Sequence, residues 1–126
     1  MAPETIIIID DDKSFTEAAS LLLRDHGYQV RCALTGQTGI TKSLEQQPDL
    51  VVIDVHLPDI NGVDVAQQIR QRRPFTPLIV ISSDDCRETV NRCQTIDSCS
   101  FLPKSLIPQR LIPTIAEALD GSNASQ

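Results

Sequence analysis

Short apolar runs alternate along this chain with longer stretches in which apolar positions recur every three or four residues. Residues 6–9 are four isoleucines in a row, a pattern that fits a strand covered on both faces. Residues 50–55 and 77–81 are similar runs, residues 28–34 alternate like a half-buried strand, and residues 100–102 make a short fifth strand. Between the runs, residues 14–24 set Phe15, Ala18, Ala19, Leu22 and Leu23 on one helical face, with Gly27 as a stop signal. A weaker helix over 36–47 turns Ile40 and Leu44 inward before Pro48. The PDING stretch at 58–62 is a turn, and 63–73 is a helix burying Val65, Ala66 and Ile69. Residues 85–94 predict a short fourth helix, and 106–119 a fifth with Ile112, Ile115, Ala116 and Leu119 on one face. Residues 121–126 are a small polar tail or the start of a linker.

Strands that alternate with helices imply a parallel sheet covered by helices on both faces. Right-handed crossovers then give a doubly wound α/β domain of five strands, for which 2-1-3-4-5 is a common order. The pattern shows no internal repeat and no second domain.

Composition narrows the function. With 126 residues and a formal net charge of −6, the chain is one domain without the basic surface that nucleic acid demands. The 4 cysteines, Cys32, Cys86, Cys93 and Cys99, form no CxxC pair and no His-rich cluster, which argues against a zinc site and a disulfide framework. Neither a signal peptide nor a long apolar run is present, so the reading is a reduced, cytoplasmic protein with no membrane contact.

The carboxylates carry the chemistry. In an open α/β sheet, ligands bind beyond the carboxyl ends of the strands, where the strand order reverses. Strand 1 ends at Asp10 and Asp11, strand 3 at Asp54 and strand 4 at Ser82, and Lys104 follows strand 5. Several carboxylates on one rim repel one another unless a cation offsets them, and ligands that are all oxygen suit magnesium or manganese. A carboxylate site with a hydroxyl and an ammonium nearby suits phosphoryl chemistry, in which Asp54 becomes an aspartyl-phosphate.

The stretches IIIIDDDKSF, DLVVIDVHLPDINGVDV, PLIVISSDD and SFLPKSL, in this order and spacing, resemble the response-regulator receiver domains of two-component signalling. The likeness covers about residues 5 to 120 and implies a flavodoxin-like receiver domain over 1–120. It implies that Asp54 is the phosphoacceptor, and that Asp10, Asp11, Asp54 and the backbone carbonyl of His56 hold Mg2+ or Mn2+. It further implies that Ser82 is the switch hydroxyl, Lys104 the charge-neutralising lysine and Phe101 the aromatic switch. The implied function is a switch that takes a phosphoryl group from a histidine kinase or phosphotransfer protein. The face built from helix 4, strand 5 and helix 5 then engages a partner, an output domain or a second copy. Catalysis is limited to self-phosphorylation and slow hydrolysis, so the protein is a switch rather than an enzyme. The FLPKS wording is most like receivers that precede helix-turn-helix output domains.

Departures from the family pattern are local. Lys104 is followed by Ser105 where the family usually has proline, with Pro103 in front, a position suited to an edge strand. Thr95 to Cys99 replaces a small Gly/Ala turn, and Ser83 stands where alanine is commoner. Simpler roles are open to single residues: Asp12 as a helix cap, His26 near a helix C-terminus, Phe101 as a core aromatic, and Cys86, Cys93 and Cys99 as packing thiols near helix 4. The competing enzyme class, a phosphatase of the haloacid-dehalogenase type, favours DxD and a cap. Here Asp54 is followed by Val55 and His56, and the chain is short. The remaining alternative is a degenerate receiver that serves only as a protein-interaction module.

Overall fold

The computed structural model describes residues 3–84 and 86–124, the last three of them by backbone alone. In chain order the elements are β1 (Thr5–Ile9), α1 (Lys13–Asp25), β2 (Gln29–Ala33), α2 (Gly36–Gln46), β3 (Leu50–Asp54), α3 (Gly62–Arg72), β4 (Leu78–Ser82), α4 (Arg87–Gln94), β5 (Cys99–Pro103) and α5 (Ile107–Ala124). The strands form one parallel sheet in the order β2-β1-β3-β4-β5, the common order expected for a doubly wound sheet.

The isoleucine run explains why this sheet has helices on both faces. Ile7 and Ile9 enter one core with Ile40, Val65, Ala66 and Ile69 from α2 and α3. Ile6 and Ile8 enter the other with Ala19 and Leu23 of α1 and Leu111, Ile115 and Leu119 of α5. All four isoleucines are 0–1% exposed. Each such burial stabilises by roughly 1.5–3 kcal/mol, so this strand anchors both layers.

Several expectations are corrected in detail. In α1 the buried residues are Thr16, Ala19, Ser20 and Leu23, while Ala18 is exposed and Phe15 and Leu22 are half-buried. The hydroxyls are buried because they find partners: Thr16 donates to the Lys13 carbonyl, and Ser20 Oγ meets Cys32 Sγ at 3.4 Å. In α5, Leu111 joins the buried stripe and Ala116 is exposed. This helix continues through Gly121 to Ala124, past the predicted end, and carries Pro113 on its exposed side. Ser125 and Gln126 of the predicted tail, and Asp85 at the predicted start of helix 4, lie outside the described residues. Asp54 and Ser82, by contrast, are the last residues of their strands, as the sequence places them.

Candidate functional site

The ends of β1, β3, β4 and β5 meet at one rim, and the strand register sets the side chains there. Ile9 pairs with Ile53, Asp54 with Ile81 and Ser82 with Pro103, so Asp10, Asp54 and Ser82 leave the sheet on neighbouring strands. Beyond β5 the chain closes at once into a 3-10 turn, Lys104–Leu106, which holds Lys104 over the same rim. Lys104 and Ser105 are not joined by a cis bond.

Charge is concentrated in this small space. Carboxylate oxygens of Asp10, Asp11 and Asp54 lie within 4.8 Å of one another. Asp10 and Asp54 are buried and Asp11 is exposed. Lys104 Nζ stands 2.8 Å from Asp10 Oδ2 and 3.4 Å from Asp54 Oδ1. The ammonium also lies 4.4 Å from the centre of the Phe15 ring, a cation–π contact that steers it from α1. Asp10 Oδ1 accepts the Asp12 N–H at 2.9 Å. Asp10 Oδ2 is buried and faces the Lys104 ammonium at 2.8 Å, an ion pair. Three carboxylates this close together, answered by a single ammonium among the described residues, fit a hard cation with oxygen ligands.

Burial, then the neighbouring Asp10 charge, holds the Asp54 carboxyl above the usual carboxylate range, although Lys104 and His56 oppose the shift. Burial by itself would lower Lys104, but contact with Asp10 and the charges of Asp10 and Asp54 outweigh it, and the ammonium is held above its ordinary value.

A cleft of about 290 Å³ opens where β3 and β4 end, lined by Val55, His56, Asn61, Ser82, Asp84 and Arg92 among others. Ser82 is buried on its wall, and its Oγ accepts the Asp84 N–H at 3.0 Å. At the lip, His56 Nε2 and Asp84 Oδ2 pair at 2.8 Å across the loops after β3 and β4. His56 is exposed, as expected, and its backbone bridges to Asn61, which curls the loop under Asp54. Gly62 closes that loop, its N–H bonded to the Val55 carbonyl at 2.9 Å. A Cβ there would strike the Asp54 carbonyl, so this close approach needs glycine.

Phe101 is not at the rim. It is half-buried in the middle of β5, opposite Val80, packed against the core that contains Cys93 and Ile96. Asp12 serves as the N-cap of α1, accepting the Phe15 N–H at 3.1 Å. His26 caps the other end, with Nδ1 donating to the Leu22 carbonyl at 2.9 Å. Cys86 lies at the opposite end of α4 from Cys93, so the three thiols do not form one cluster. Sequence reasoning missed three residues that shape the site. Asp59 takes the Gly36 and Gln37 N–H groups at 2.8 and 2.9 Å, tying the loop after β3 to α2. Arg92 binds Asp64 of α3 at 2.6 Å, and Phe15 sits under Lys104.

A doubly wound parallel sheet with an aspartate-lined rim at its switch point is the architecture of the CheY-like receivers. A receiver domain protein from Methanospirillum hungatei has the same fold, with a TM-score of 0.94 at 24% identity over 98% of this chain and 99% of that one. The DrrB receiver domain, in a structure described as BeF3-activated, superposes with a TM-score of 0.84 at 26% identity over 94% of this chain and 98% of that one. The model of the response regulator receiver domain matches residues 6–116, and the chain belongs to that family, the receivers of two-component systems. A curated relative, "Probable transcriptional regulatory protein TcrX" of Mycobacterium tuberculosis, is 35% identical over 68% of this chain. The sensory/regulatory protein RpfC of Xanthomonas campestris is 27% identical over 89% of it. The chain spans only 37% and 16% of these two proteins.

Proposed function

We propose that this domain is a phosphorylation-dependent switch whose acceptor is Asp54. The observation that carries this reading is the joint placement of the Asp10, Asp11 and Asp54 carboxylates with the Lys104 ammonium on one rim. An Asp54 oxygen attacks the phosphorus of a phosphohistidine on a histidine kinase or phosphotransfer protein. The P–N bond breaks, the imidazole keeps the electron pair, and an acyl phosphate forms. Asp10, Asp11, Asp54 and the His56 carbonyl are the groups that would hold Mg2+ or Mn2+, which when bound neutralises charge on the transferring oxygens. Lys104 adds a positive charge from the β5 side, and the Ser82 hydroxyl, on the cleft wall, donates to the bound phosphoryl group.

Movement of Ser82 toward that group passes to the face formed by α4, β5 and α5, with Phe101 repacking against α4. This face then meets an output domain, a partner or a second copy. The names of TcrX and RpfC support placement within a larger regulatory protein, and the net charge of −6 supports an output that does not contact nucleic acid through this domain. Chemistry stops at self-phosphorylation and slow hydrolysis, and the setting is cytoplasmic; among the described residues no helix is long and apolar enough to cross a membrane.

The test is intact mass after incubation with magnesium and acetyl phosphate. The wild type gains one phosphoryl group, while Asp54→Asn and a chelated sample gain none. Failure to gain it from several donors, a histidine kinase included, favours the interaction-only receiver.

A further inference from the structure

We propose that Phe15 is a positioning residue for phosphoryl transfer: its ring holds the Lys104 ammonium at the acceptor, and the rate at Asp54 depends on that aromatic face. This role rests on the reading of Asp54 as the phosphoacceptor. Lys104 needs such a brace. Its ammonium ends a long flexible stem, its side chain is 21% exposed, and Ser105 follows it, so no proline ring stiffens the chain there.

The brace is part of a closed circuit. Asp10 Oδ1 accepts the Asp12 N–H at 2.9 Å, and Asp12 Oδ1 accepts the Phe15 N–H at 3.1 Å. Phe15 is thereby fixed in the first turn of α1, and its ring centre lies 4.4 Å from Lys104 Nζ. Lys104 closes the circuit on Asp10 at 2.8 Å, with Asp54 at 3.4 Å. The ammonium is held between an aromatic face on one side and two carboxylates on the other.

The surroundings strengthen the contact. Ring and stem line an apolar groove of about 360 Å³ between α1 and α5, together with Ala18, Leu22, Ile107 and Pro108. Phe15 also packs against the core that contains Leu23 and Ile107, which limits its own movement. A cation with little water around it is drawn more strongly to a ring face. The ring carries no net charge, so it restrains the ammonium without neutralising it. A third carboxylate in its place would hold Lys104 as well but would take up the charge that the transferring oxygens need. A leucine at this position would fill the groove and offer no such face.

The full chain is incubated with magnesium and acetyl phosphate, and the labelling rate is followed by intact mass. Phe15→Leu is expected to slow labelling about fivefold, equivalent to about 1 kcal/mol. Phe15→Met replaces it if the leucine variant does not fold. Phe15→Tyr and Phe15→Trp restore an aromatic face, and at least one of them should recover the rate. With Lys104→Met as the starting protein, Phe15→Leu should change the rate by less than about twofold, because no charge remains to be positioned. A loss that persists in full with Lys104→Met, a loss that neither aromatic variant repairs, or equal rates in the wild type and Phe15→Leu overturns this role alone. A wild type that takes no phosphoryl group overturns the reading of Asp54 and this role with it.

Discussion

Gly62 and Asp54 approach so closely that any side chain at position 62 would run into the Asp54 backbone carbonyl. The clash is with backbone, which cannot swing aside as a side-chain tip can. Gly62→Ala is therefore expected to cost about 1–3 kcal/mol in urea unfolding, the scale of forced overpacking. It also shifts the acceptor, so acetyl phosphate should label the variant at least tenfold more slowly. Wild-type stability and labelling in Gly62→Ala would show that the loop yields without disturbing the site.

Lys104 is the only cation touching both buried carboxylates among the described residues. Lys104→Met keeps most of the stem and removes the charge. We expect a loss on the order of 2 kcal/mol without metal, below the full figure for a broken buried pair because the side chain is 21% exposed. The folded state raises the lysine pKa, so its contribution is complete below the ordinary lysine value and disappears as pH rises through the folded value. The difference between wild type and Lys104→Met should therefore shrink only in strongly alkaline buffer, as read by urea midpoints across pH.

Asp54 works in the opposite direction. Its raised pKa means that the folded state binds this proton more tightly than the unfolded chain does. The ionised carboxylate thus costs stability above the folded value, and the cost fades as pH falls toward the ordinary aspartate value. With chelator at neutral pH, Asp54→Asn should be more stable than the wild type by about 1 kcal/mol, as when a strained functional group is relieved. Magnesium should then raise the Tm of the wild type and leave the variant nearly unchanged.

Much of this arrangement could be read from the sequence. The isoleucine run was legible because a strand covered on both faces needs no polar positions, and Asp10, Asp54, Ser82 and Lys104 because strand ends of a parallel sheet share one rim. The roles of these residues rest on the resemblance and await the tests above. Thr16 and Ser20 misled the reading of α1, since burial of a hydroxyl depends on a partner that periodicity does not reveal. Asp59 was invisible for the same reason: its partners in α2 lie more than twenty residues away. The fold-back before β5 was hidden too, since it turns at Ser98, a positive-φ residue that is not glycine.

Asp59 itself gives an acid-side prediction. Backbone hydrogen bonds, from Gln37 and Gly36 above all, hold the carboxyl below the usual carboxylate range. The stabilisation is present above the ordinary aspartate value and is lost as pH falls through the lower folded value. Asp59→Ala should therefore unfold earlier in urea than the wild type at neutral pH, and the gap should close in acid. Amide exchange at Gly36 and Gln37 should quicken in the same variant.

The central claim is that Asp54, and no other residue, takes the phosphoryl group. Borohydride reduces an acyl phosphate to the alcohol, so a phosphorylated aspartate becomes homoserine. Protein labelled with acetyl phosphate and magnesium should, after reduction and peptide mapping, carry homoserine at position 54 alone and only when the metal is present. Homoserine at another aspartate, or its absence from position 54 in protein that has gained a phosphoryl group, would contradict the account.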